Sequence, residues 1–216
     1  TYAANAFCQD APNPTPTITG VTGGTFTSTA GLVINPTTGE IDLAASTAGN
    51  YSVTYTTNGT CPGNNSFTVF ITAVDDASFS YASPSFCQAG TNPTPAITGA
   101  TGGVFTSSPA GLAINAATGE IDLAASTLGS YTVTYTTTGT CPASMDVTVG
   151  ITSVDDASFN YASGTFCQSE PNPAALVTGV PGGSFSSTAG LVIDAATGEI
   201  DLAASTVGTY TITYAT

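Results

Sequence analysis

Over residues 77–156, apolar and polar positions alternate with a period of two, in short runs separated by turn residues. The runs are ASFSYAS from Ala77, AITG from Ala96, GVFTSS from Gly103, GLAIN from Gly111, GEIDLAA from Gly119, SYTVTYTT from Ser130 and MDVTVGITSV from Met145. In the sixth run Tyr131, Val133 and Tyr135 share one face and Thr132, Thr134 and Thr136 the other, which is the signature of a half-buried strand. Gly-Gly, Thr-Gly and Asn-Pro steps mark the turns. No window carries a helical period; DLAAS is long enough for one turn at most. Seven short strands in about 80 residues predict a small antiparallel β-sandwich.

The same pattern is written three times. TGEIDLAAST occurs without a substitution at Thr38–Thr47, Thr118–Thr127 and Thr197–Thr206. FCQ recurs at Phe7, Phe86 and Phe166, and VDDASF marks the joints at Val74 and Val154. The chain therefore reads as an all-β tandem array of small immunoglobulin-like modules: repeat 1 over 1–76, repeat 2 over 77–156 and repeat 3 over 157–216. Repeat 1 lacks the DASF opening, and repeat 3 stops before its last strand.

Charge narrows the class of partner. The chain has no Lys, Arg or His against 14 Asp plus Glu, for a net charge of −14. Phosphate backbones and anionic membrane surfaces both need cationic side chains, so nucleic acid and membrane-surface binding are excluded. No run reaches the roughly 18–20 apolar residues of a membrane helix, and no signal peptide opens the chain. Cations, calcium above all, remain possible ligands.

The five cysteines fall on the repeat grid. Cys8 and Cys61 take the early and late positions of repeat 1, Cys87 and Cys141 those of repeat 2, and Cys167 the early position of repeat 3. One pair per repeat predicts Cys8–Cys61 and Cys87–Cys141 disulfides, with the partner of Cys167 outside the sequence, and an oxidising compartment. A redox or metal role is the alternative, but there is neither a CxxC nor a histidine to support it.

AGLVINPTTGEIDLAASTAGNYSVTY, with Gly31, Leu32, Ile34, Thr38, Gly39, Ile41, Gly49, Tyr51 and Val53, resembles the immunoglobulin-like, cadherin-like modules of large bacterial surface proteins. The Thr-rich, Cys-containing composition is similar to that of the adhesin repeats of gliding bacteria. The resemblance covers the middle third of each repeat, excludes the cysteines, and departs from the family at EIDLAAST. It implies a secreted, cell-surface stalk or filament segment without catalysis. Tyr51 further resembles a tyrosine corner, in which a strand-start Tyr bonds back to the backbone.

Three constellations could carry chemistry. Glu40/Asp42, Glu120/Asp122 and Glu199/Asp201 are carboxylate pairs at i, i+2, the spacing that places both on one strand face. They recur in every repeat without a base or an aromatic platform, so a solvated strand face is expected and no catalytic residue is assigned. Asp75, Asp76, Asp155 and Asp156 at the joints are candidate calcium ligands, although no DxDxDG loop is present. The Thr132/Thr134/Thr136 face raises the alternative reading, a repeated glycan- or ice-binding module, and EIDLAAST is the best candidate for the copy-invariant exposed patch that reading requires. Asn58 and Asn64 head N-glycosylation sequons. The expected partners are neighbouring repeats, and copies of the chain joined laterally through exposed sheet edges.

Overall fold

In the computed structural model, which describes residues 1–216, the chain has no helix and divides into two compact units, Thr1–Thr152 and Ser153–Thr216. The first unit holds two four-stranded sheets, each with its own core. In repeat 1 the strands are β1 (Ala6–Cys8), β2 (Thr25–Ser28), β3 (Val33–Ile34), β4 (Ile41–Asp42), β5 (Gly49–Thr56) and β6 (Asn64–Thr72). Repeat 2 continues with β7 (Phe79–Ser80), β8 (Ser85–Cys87), β9 (Ala96–Ile97), β10 (Val104–Ser108), β11 (Ala113–Ile114), β12 (Ile121–Asp122), β13 (Gly129–Thr136) and β14 (Ser144–Thr152).

Sheet order is β1-β6-β5-β2 in repeat 1 and, in the same sense, β8-β14-β13-β10 in repeat 2. The long hairpin is the frame of each, with Gly49↔Ile71 to Thr56↔Asn64 in repeat 1 and Gly129↔Ile151 to Thr136↔Ser144 in repeat 2. Its period-two pattern buries Tyr131, Val133 and Tyr135 from β13 with Val149 and Ile151 from β14. Phe79, Leu112, Ile121 and Leu123, carried on or beside the short ribbons β7–β9 and β11–β12, close the same core. Phe79 packs edge-on against Phe105 and Tyr135, with ring centroids 5.4 and 5.8 Å apart.

The edge pairing is not antiparallel. β1 runs parallel to β6, with Ala6↔Phe70 and Cys8↔Thr72, and β8 runs parallel to β14. A period of two reveals a strand but not its direction. Direction has a large consequence here: β1 and β6 end together, at Cys8 and Thr72, while the turn joining β5 to β6 lies at the opposite end.

That geometry overturns both expected disulfides. Cys61 sits in the turn after Thr56 and Cys8 at the far end of β6, so the nine residues of β6 hold them about 25–30 Å apart, when a disulfide tolerates roughly 7 Å between Cα atoms. Cys8 bonds instead to Cys141, in the β13–β14 turn of repeat 2, with the Cα atoms 5.5 Å apart. Cys141 is thereby taken, and Cys87 lies exposed at the end of β8. Cys61 and Cys167 are exposed and outside any disulfide.

The second unit contains β15 (Phe159–Asn160), β16 (Leu176–Val177), β17 (Ser184–Ser187), β18 (Val192–Ile193), β19 (Ile200–Asp201) and β20 (Ile212–Ala215), paired as β15–β16, β17–β20 and β18–β19. Phe185, Ile200, Leu202 and Tyr214 are buried in it, at the places of Phe105, Ile121, Leu123 and Tyr135.

Candidate functional site

The feature that distinguishes this chain is the joint inside the first unit, where the end of repeat 1 meets the β13–β14 turn of repeat 2. Three links meet there. Cys8 is bonded to Cys141, the Asp75 N–H donates to the Cys141 carbonyl at 2.9 Å, and the Gly139 N–H donates to Asp75 Oδ2 at 3.0 Å. The turn is closed beneath them by Thr137, whose N–H donates to the Ala143 carbonyl while its hydroxyl accepts the Ala143 N–H. A β-carbon on Gly139 would lie 2.2 Å from Asp75 Oδ2, so the close approach of the carboxylate depends on glycine there. The contact buries Cys141 to 1% exposure.

The structure separates the four joint aspartates rather than gathering them. Asp75 faces the turn of repeat 2, whereas Asp76 folds back on its own chain and accepts from both the N–H and the hydroxyl of Ser78. Asp156 does the same with Ser158. The Ser78 hydroxyl first, then its N–H, holds the Asp76 carboxyl below the usual carboxylate range, and Ser158 does so for Asp156. Asp155 is exposed. No group of three or more Asp, Glu, Cys or His comes together in a way that could hold a metal.

TGEIDLAAST proves to be a structural corner, and most of its residues have a local use. Ile41 and Leu43 are fully buried. Asp42 Oδ1 accepts the Ala45 N–H. The Ser46 hydroxyl, itself buried, donates to the Asp42 carbonyl at 2.6 Å and accepts the Val33 N–H at 2.9 Å. Gly39 adopts φ +74°, and its carbonyl accepts the Tyr2 hydroxyl. Asn13 Oδ1 accepts the Leu43 N–H, and Gln9 Nε2 donates to the Ser46 carbonyl. Equivalent bonds recur through Ser126, Asn92 and Gln88, and again through Ser205, Asn172 and Gln168. Tyr51 donates to the Thr47 carbonyl at 2.8 Å, as Tyr131 does to Thr127 and Tyr210 to Thr206, which is the i−4 bond of a tyrosine corner. The Asp42, Asp122 and Asp201 carboxylates are thus turn caps, with Ala45, Ala125 and Ala204 as their donors.

The Thr face is tied across strands. Thr54 shares a hydrogen bond with Ser66 at 2.9 Å, and Thr134 donates to Asp146 Oδ1 at 2.6 Å. Of the EIDLAAST patch, Ile41, Leu43 and Ser46 point into the fold in repeat 1, as do Ile121, Leu123 and Ser126 in repeat 2. Two hollows open in the surface. One in repeat 1, about 340 Å³, is lined by Tyr2, Ile18, Phe26, Tyr55 and Phe67 and lies beside the ring pair Phe26–Tyr55, where repeat 2 has Phe79. The other, about 610 Å³, runs along Phe159, Leu191, Leu202 and Ile212 in the second unit. Neither lining contains an Asp or a Glu.

No known protein family matches the chain, and no curated protein matches it. Solved structures do. Mouse cadherin-23 repeats EC22–24 align at 14% identity over 91% of this chain and 83% of theirs, with a TM-score of 0.32. The protocadherin γB4 extracellular domain aligns at 13% identity over 93% of this chain and 45% of its own, with a TM-score of 0.37. Extracellular domains 3–5 of Drosophila OTK align at 15% identity over 74% and 59%, with a TM-score of 0.34.

Proposed function

We propose that this chain is a non-catalytic segment of an extracellular surface adhesin stalk or filament, in which repeated β modules set length and stiffness. The observation that carries this reading is the joint itself: the disulfide is spent on coupling one repeat to the next rather than on stapling either core. Two hydrogen bonds through Asp75 act at the same place. A disulfide fits an oxidising exterior, and the absence of any cationic side chain fits a surface that avoids anionic partners.

Immunogold labelling of the source cells, before and after in-frame excision of residues 77–156, tests the proposal. The label is expected outside the cell, on an appendage that shortens by about 25–35 Å, the length of a module with strands of seven to nine residues. A label confined to the cell interior, or an appendage of unchanged length, would overturn it.

A further inference from the structure

The two sequons of repeat 1 begin in the β5–β6 turn, at Asn58, and at the first residue of β6, Asn64, and the fold treats the two asparagines differently. Asn58 is engaged: its Nδ2 donates to the Gly23 carbonyl at 2.6 Å and ties the turn to the loop before β2. Repeat 2 makes the same tie without an amide, through the Thr138 hydroxyl, which donates to the Gly102 carbonyl at 3.2 Å. The Asn64 side chain has no hydrogen-bond partner. It is exposed, opposite Thr56, and shares the outward face of β6 with Ser66, the hydroxyl residue of its sequon. That exposure belongs to the position. Ser144, its counterpart in repeat 2, is exposed as well, although the turn just before it is docked onto repeat 1 through Cys141. The face around Asn64 is also uncharged. β2, β5 and β6 contain no Asp or Glu, and Phe70 stands 47% exposed on the same side as Asn64. Repeat 2 has Asp146 at the place of Ser66 and Gly150 at the place of Phe70.

We propose that Asn64 is an N-glycosylation acceptor, modified by an oligosaccharide carried on a lipid pyrophosphate, and that Asn58 stays bare. Asn64 Nδ2 attacks the anomeric carbon of the donor sugar. A C–N bond forms, the C–O bond to the pyrophosphate breaks, Nδ2 gives up one proton, and the lipid pyrophosphate leaves. The Ser66 hydroxyl completes the Asn-x-Ser signal, with Asn65 as its permitted middle residue. A glycan is bulky and strongly hydrated, so at Asn64 it wets a face that in repeat 2 has the Asp146 carboxylate. It stands at the end of β6 opposite the Cys8 joint and leaves the contact with repeat 2 clear. On Asn58 the same glycan would crowd the Gly23 loop that the amide holds. The inference rests on the extracellular placement proposed above, because this modification belongs to secreted chains.

The test uses the whole chain recovered from outside the source cells. It is treated in heavy-oxygen water with an amidase that releases N-linked glycans and leaves a labelled carboxylate, then digested with chymotrypsin and read by tandem mass spectrometry. Label above the enzyme-free control is expected at Asn64 and not at Asn58. Ser66→Ala is expected to lose it and Ser66→Thr to keep it, a pattern that a purely structural role for Ser66 would not produce. Asn58→Thr, which keeps the tie as Thr138 does, is expected to leave the label at Asn64 unchanged. A bare Asn64 in chain from outside the cells, label at Asn58, or label that survives Ser66→Ala would each overturn the inference and leave the stalk reading in place. A chain confined to the cell interior would overturn both.

Discussion

Cys8 and Cys141 lie 133 residues apart in sequence and 5.5 Å apart between Cα atoms, joining the end of β1 in one repeat to the β13–β14 turn of the next. Because β1 ends beside the end of β6, the bond and the Asp75 contacts act at one place and lock the joint in both directions.

Cutting this bond is expected to uncouple the repeats. Closing a loop of this length is worth at most about 5 kcal/mol by chain entropy. Cys141→Ser should lose roughly 2–5 kcal/mol and split one urea transition for repeats 1 and 2 into two. Circular dichroism and tyrosine fluorescence serve as probes, since the chain has no Trp. A single transition with an unchanged midpoint would refute the coupling.

Matched glycines give a finer test of the joint. In Gly139→Ala the Asp75 carboxylate must swing away and lose its bond, costing about 1 kcal/mol, whereas Gly59→Ala meets open space and should be neutral or slightly stabilising. Thermal melts of the two variants check the difference; equal effects would show that the carboxylate contact contributes nothing.

The corner serine is expected to matter more than its size suggests. Ser126→Ala strips a buried hydroxyl of two bonds and leaves the Ala113 N–H without its acceptor, a loss of about 1–3 kcal/mol. Hydrogen exchange at Ala113 should rise in step with the fall in melting temperature.

What the sequence made legible, and what it hid, divides along the same lines. Period-two runs and turn residues disclosed the strands because each repeat buries one face of each strand, and Tyr51 announced its i−4 bond by standing at a strand start. The disulfide partners stayed hidden for a different reason. In a tandem array, pairing within a repeat and pairing to the next repeat use the same cysteines per repeat, so the count cannot choose between them. The choice depends on which end of the sheet each cysteine occupies, and hence on the parallel direction of β1. One clue was present: Thr-Gly-Thr-Cys-Pro reads as a turn, far from any residue beside the end of the same hairpin. The roles of Asp42 and Asp76 were equally hidden, because a turn cap and a ligand use the same carboxylate.

Alkali should destabilise the fold before acid chemistry explains anything. Burial pushes the hydroxyls of Tyr2 and Tyr81 up to about 12, and both donate to backbone carbonyls that a phenolate cannot serve. The folded chain therefore holds protons that the unfolded chain releases from about pH 10, so this stability is complete below pH 10 and is lost as pH rises towards 12. Tyrosinate absorbance should show a late-titrating class that Tyr81→Phe reduces. At the acid end, Asp76, Asp156 and Asp194 have lowered values, so their contribution is present above the usual carboxylate range and fades below it.

Calcium is expected to leave the melting temperature within about 2 °C of its value in chelator. Asp75 already serves Gly139 and Asp76 already serves Ser78, and a calcium site wants six to eight oxygens. A rise of 5 °C or more would reassign these carboxylates.

The Cys8–Cys141 bond also decides where a pulling force would travel. Tension entering at Thr1 reaches Cys8 and crosses the sulfur bridge to Cys141, bypassing everything between, so most of both repeats carries no load while the bridge holds. The bypassed stretch, fully extended, would run to about 450 Å. Reduction would put both repeats into the path of the force, so that their unfolding under tension could then yield this length; oxidation withholds it.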